Sequence, residues 1–246
     1  MRGALLVLFA LSLAPGSVAA RPQTRASVLG ALGLRADDAL GTADEVAAPW
    51  FCHGIDCPAF EPVPTDASYE TRIYPPGLRW TSTVVSGVDY DAAVGVGFRR
   101  LFRYISGENE ASAKIPMTAP VRVRIAAGAG PFCESNFTVS FFVPYVPGES
   151  DVQVDAPRPT DPAVFEETDE EGFAAFVASF GGYADQSAIA RHAESLGRAL
   201  RKDGTRAKTD HFFFAGYDSP FRVLKRHNEV WYEGAIDEAT RSPARR

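Results

Sequence analysis

Apolar and polar positions along this chain follow two rhythms, a period of two and a period near 3.6, in an order that occurs twice. Tyr69 to Tyr74 and Trp80 to Val85 are rich in aromatic and β-branched residues and flank Pro75-Pro76-Gly77, which predicts two strands around a turn. A helix follows. Asp89 is placed to cap it, Val94, Phe98, Leu101 and Ile105 fall at i, i+4, i+7 and i+11, and Gly107 stops it. Val121 to Ile125, interleaved with Arg122 and Arg124, and Phe137 to Val143 predict two further strands. The order then repeats. Val164 to Thr168 and Phe173 to Phe180 read as strands, Gly181-Gly182 as a turn, and Asp185 to Lys202 as a helix with Ile189, Ala193, Leu196 and Leu200 as its apolar stripe. Arg198, Arg201 and Lys202 suit the C-terminal end of that helix, Gly204 ends it, and His211 to Gly216 and Glu229 to Tyr232 supply the closing strands. Two βαββ-like halves predict an α+β protein, an antiparallel sheet or distorted barrel carrying two helices.

The segments outside that pattern set its context. Arg2, the apolar run Ala4 to Ala14 and the small residues Val18, Ala19 and Ala20 have the layout of a secretory signal peptide over residues 1–20. The run is about half of the ~20 residues that a membrane-spanning helix needs, so no membrane span is expected and the mature chain is expected to be secreted and extracellular. Residues 21–48 are rich in Ala, Gly and Asp without an aromatic and read as a flexible leader, 49–239 as one domain, and 240–246 as a basic tail. Pro144 to Pro162 is a Pro- and acid-rich connection between the halves. With 25 Lys+Arg against 31 Asp+Glu, a net charge of −6, binding to nucleic acid is not expected, because phosphate contacts need clustered basic charge. Cys52, Cys57 and Cys133 allow at most one bridge within the chain, and the pairing stays open. Asn136-Phe137-Thr138 is an acceptor triplet for N-glycosylation, so the secreted form is read as a glycoprotein.

A search for chemistry returns little. The four histidines are scattered without an H-E-x-x-H spacing, and no G-x-S-x-G elbow occurs, so neither a metallohydrolase nor a serine hydrolase is expected. Gly95-Val96-Gly97 lies inside the first helical stripe and reads as a site of close helix packing rather than a phosphate loop.

Five blocks, YETRIYPPGLRW (Tyr69 to Trp80), DYDAAVGVGFRRLFRYISGEN (Asp89 to Asn109), KIPMTAPV (Lys114 to Val121), SFGGY (Ser179 to Tyr183) and AGYDSPFRVLKRHNEVW (Ala215 to Trp231), resemble the SOUL haem-binding protein family in order and content. The resemblance implies an eight-stranded distorted antiparallel barrel with two helices, built from a duplicated βαββ unit. It also implies non-covalent binding of haem or another tetrapyrrole in an apolar groove beside the first helix, with no enzymatic activity. Arg103 and Arg222 fall on basic positions that meet the propionates, a third such position falls on Gly95, and the histidine that ligates iron in some members falls on Ile73. Val94, Phe98, Leu101 and Phe102 would line the groove. With no histidine at Ile73, other axial candidates are His53, Cys57 and His192, although in an oxidising compartment Cys57 is expected to be bridged. The competing expectation is an extracellular interaction or signalling protein that keeps the fold but binds no haem, its groove holding a partner or nothing.

Overall fold

Among the described residues the strand rhythm is realised as nine strands in one antiparallel sheet. A computed structural model describes residues 48–87, 89–126, 135–144, 156–237 and 240. The signal segment, nearly all of the leader, Cys133, most of the Pro144 to Pro162 connection and the tail beyond 240 lie outside them. In chain order the elements are β1 (Glu61–Val63), β2 (Glu70–Tyr74), β3 (Leu78–Gly87), α1 (Tyr90–Ile105), β4 (Val121–Ala126), β5 (Ser135–Val143), β6 (Val164–Asp169), β7 (Phe173–Phe180), α2 (Gln186–Asp203), β8 (His211–Gly216) and β9 (Asn228–Gly234).

Across the sheet the order is β1-β2-β7-β9-β8-β4-β5-β3-β6. Each βαββ unit is therefore intact: β3-α1-β4-β5 lies as β3-β5-β4, β7-α2-β8-β9 lies as β7-β9-β8, and β4 pairs with β8 to join them. The strand preceding each unit crosses to the other half, β2 onto β7 and β6 onto β3. Pro75-Pro76-Gly77 thus joins two strands that are not neighbours. The expected eight strands become nine because β1 adds to β2 at the edge. Its central Pro62 has no N–H to donate, which suits an edge and hides the strand from a propensity reading.

Local chemistry sets the helix limits. Asp89 and Asp185 accept the Ala92 and Ala188 backbone N–H groups, each at 2.7 Å, and Gly204 ends α2 in the left-handed conformation. Helix α1 packs over β3 and β5, and α2 over β7 and β9. Strand alternation sends Ile73, Val123, Val139, Phe141, Phe176, Phe214 and Val230 into one cluster with the helices. A second cluster holds Tyr74, Trp80, Phe142, Phe173, Phe213 and Trp231, together with Phe51 and Cys52 of the N-terminal segment. Cys52 is bridged to Cys57, which resolves the pairing.

Gly97 lets α1 approach the sheet, since a Cβ there would lie 2.5 Å from Val139 Cγ2, whereas at Gly95 it would meet only Arg99 Nη1 at 3.5 Å. Gly97→Ala is expected to lower unfolding stability by about 1–3 kcal/mol through overpacking. Gly95→Ala should leave stability unchanged or raise it by up to about 1 kcal/mol, because alanine is the better helix former. Urea unfolding of the two variants checks the ordering.

Candidate binding site

Helix α1 turns two surfaces to its surroundings. Leu101 is 0% exposed and Tyr104 is 2% exposed, both in the core, while Val94, Phe98 and Phe102 on the adjoining flank are only partly buried. Phe98 and Phe102, four apart, stack at 5.9 Å with their planes 14° apart, and Phe98 also meets the edge of Phe141 at 5.4 Å. Ile115, whose N–H bonds the Ile105 carbonyl at 2.8 Å, packs against the same core. The result is an apolar ledge built from Val94, Phe98 and Phe102. Leu101 lies beneath it with no surface to offer a ligand, contrary to its expected place in the groove lining, because its position on the helix points straight at the sheet.

Arg103 follows the ledge on α1. It is half-exposed, and its Nε donates to Glu108 at 3.0 Å and its Nη2 to Asp161 at 3.4 Å. Arg222 sits on the loop between β8 and β9, with Nε 3.0 Å from Asp218 Oδ1 and 3.2 Å from the Leu224 carbonyl. Each arginine thus holds its own partners while part of its guanidinium stays in solvent.

Asp218, a residue that periodicity did not single out, anchors that loop. Its carboxylate is buried and pairs with Arg222, with His53 Nε2 at 2.9 Å, and with the His227 backbone N–H at 2.5 Å. His53 is therefore engaged, and Cys57 is consumed in its disulfide. Behind the loop lies Glu229, also completely buried. It accepts from Arg72 Nη1 and Nη2 at 3.1 and 2.8 Å, from the Tyr217 hydroxyl at 2.9 Å and from Trp231 Nε1 at 2.7 Å, and meets His227 Nε2 at 2.6 Å. Burial alone would raise its pKa, but His227 and Arg72 together hold the carboxyl below the usual range. Tyr217 and His227 begin and end the loop, so one buried carboxylate clamps both of its ends.

The remaining sequence-derived positions are plain. Ile73 is 1% exposed inside the helix-side core, so no axial group comes from there. His192 stacks on Phe180 at 4.1 Å with planes 7° apart. His211 pairs with Asp210 and Glu233. Among the described residues no three or more His, Cys, Asp or Glu side chains gather as a metal site. A concavity of about 400 Å³ on the other sheet face is lined by charges of both signs, among them Arg122, Arg124, Glu167, Asp169 and Glu233. The apolar ledge is the surface suited to a flat apolar ring, and Arg103 beside it to an anionic substituent.

Two βαββ halves joined into one antiparallel sheet, each carrying its helix, define an α+β protein of the duplicated βαββ class. The family model described as SOUL heme-binding protein matches residues 55–233, and the chain belongs to that family. It is 39% identical over 196 residues to Heme-binding protein 2 of Homo sapiens, covering 78% of this chain and 90% of that protein. It is 34% identical over 165 residues to Heme-binding protein 1 of Xenopus tropicalis, covering 67% and 83%.

Proposed function

We propose that this protein binds a tetrapyrrole non-covalently and without catalysis, the macrocycle lying on the Val94–Phe98–Phe102 ledge with its carboxylates turned to Arg103 and Arg222. The stacked, partly exposed Phe98–Phe102 pair with a half-exposed arginine next to it carries the reading, and the heme-binding relatives support it. The residues fit the ring and its propionates; they do not supply an iron ligand at Ile73. A bound haem would contribute a flat apolar face and two carboxylates, and the chain would orient it by stacking and ion pairing.

Burying roughly 400 Å² of ring at ~25 cal/mol/Å² yields ~10 kcal/mol, against an association cost of at least ~4. The remaining ~6 kcal/mol corresponds to tens of micromolar, and two arginine–carboxylate contacts of ~1 kcal/mol each bring the Kd to about micromolar. Hemin and metal-free protoporphyrin should therefore saturate the protein at similar concentrations in a Soret titration. Arg103→Ala/Arg222→Ala should weaken both by roughly tenfold or more. Hemin binding far tighter than protoporphyrin would mean an axial ligand, with His192 the first to replace. Saturation by neither would favour a protein partner, a reading that the existing Arg103–Glu108 and Arg103–Asp161 pairs also accommodate.

The protein is proposed to act outside the cell after loss of residues 1–20. The signal-like N-terminus and the Cys52–Cys57 bridge support this, since such bridges persist in oxidising compartments. N-terminal sequencing of material from culture medium should begin at Arg21; retention inside the cell with Met1 intact would refute it.

A further inference from the structure

Of the seven large hydrophobic side chains exposed among the described residues, five gather at one end of the sheet, which marks that end as a surface for something other than water. Phe221, Val223 and Leu224 project from the β8–β9 loop at 59%, 69% and 77% exposure. Trp50, 64% exposed, lies with its ring 5.4 Å from His227 at the foot of the loop, and Tyr183, 61% exposed, lies under the Arg226 guanidinium at 4.6 Å.

The exposure is held in place by the fold. Beyond the Glu229 and Asp218 anchors, Arg226 Nη1 donates to the Ser219 and Arg222 carbonyls at 2.8 and 2.7 Å, and the Arg222 N–H bonds the Ser219 carbonyl at 3.0 Å. These bonds turn loop carbonyls inward and leave the apolar side chains outside. The Ser219, Arg222 and Leu224 carbonyls, which accept bonds from within the loop, can enter an apolar phase without being stranded.

We propose that this loop inserts its tip into the surface of an anionic lipid bilayer. The aliphatic side chains stand at the tip, Trp50 and Tyr183 at its rim, and Arg222, Lys225 and Arg226 alternate with the apolar residues, which is the layering of an interfacial anchor. Residues 219–226 carry those three basic groups and no acid, although the whole chain has a net charge of −6. The neighbouring Asp218 pairs with Arg222 and His53, which leaves Lys225 and Arg226 as the loop's excess positive charge. The local sign therefore selects acidic headgroups over the zwitterionic surface alone.

Trp50 offers a site-specific readout, because the other two tryptophans, Trp80 and Trp231, are 0% exposed and beyond reach of a quencher in the bilayer. The full chain is mixed with vesicles of brominated phosphatidylcholine, with and without phosphatidylserine. Tryptophan emission should fall with the phosphatidylserine vesicles, and less as salt is added. Val223→Ser/Leu224→Ser should weaken vesicle binding by about tenfold or more, and Trp50→Phe should abolish the quenching. The apolar run Ala4 to Ala14 is common to all variants and cancels in the comparison. Absence of quenching with acidic vesicles, or equal quenching of the serine variant, would overturn the proposal. A Soret titration of the same serine variant separates it from the tetrapyrrole reading, which requires hemin binding to persist there.

Discussion

Arg72→Ala is expected to lower the unfolding free energy by about 3–5 kcal/mol, because it removes the permanent cation that bonds the buried Glu229 carboxylate through two nitrogens and leaves it only Tyr217, Trp231 and His227. Arg72 bonds two carboxylates, and their burial decides which matters: Glu229 is completely buried, whereas the Glu70 side chain is 59% exposed. Glu70→Gln should therefore cost no more than about 1 kcal/mol, as for an exposed pair. The pH dependence has a definite sign. The Glu229 carboxyl is held below its ordinary pKa in the folded state, so its contribution is fully present above the unfolded-state value near ~4.3 and is lost as pH falls through the lower folded value. Without Arg72 that downward pull weakens and burial pushes the carboxyl up. The stability gap between wild type and Arg72→Ala should consequently narrow on acidification. Urea unfolding at neutral pH and at a pH below 4 measures both effects; a gap that stays constant or widens in acid would contradict the ion-pair account. Because Glu229 also holds Tyr217 and His227, the same substitution should loosen the β8–β9 loop and weaken whatever the loop binds.

Leu101→Ala and Phe102→Ala are adjacent on α1 and should behave in opposite ways. Leu101 is 0% exposed in a packed core, so truncation should cost about 2–5 kcal/mol of stability, through lost transfer energy and a cavity, with hemin affinity retained in the folded fraction. Phe102 is partly exposed and stacked on Phe98. Its truncation should cost less stability but weaken hemin by about tenfold, the worth of one aromatic contact face. Parallel urea unfolding and Soret titration separate the two. Unchanged hemin affinity in Phe102→Ala would remove the ledge from the site.

What the sequence determined by itself is what short-range chemistry controls. Periods of two and 3.6 marked ten of the elements near their observed limits, Asp89 announced the first helix cap, and Gly95-Val96-Gly97 signalled a close approach that Gly97 makes and Gly95 does not, because each depends on neighbours a few residues away. The family resemblance pointed to Phe98, Phe102 and Arg103, which α1 leaves partly exposed. Which strands meet depends on contacts between distant parts of the chain. An alternating strand carries no address for its partner, so the exchange of β2 and β6 between halves follows from curling the whole sheet and from burying both of its faces. The same strand order brings Arg72 on β2 to Glu229 on β9, 157 residues away, and the packing of α1 on the sheet shuts away Leu101, which helical spacing could not distinguish from its neighbour on the ledge. It also leaves Phe221, Val223 and Leu224 outside. Their hydrophobicity alone would send them to the core, and it is the bonds of Asp218, Arg226 and Glu229 within the fold that hold them in solvent.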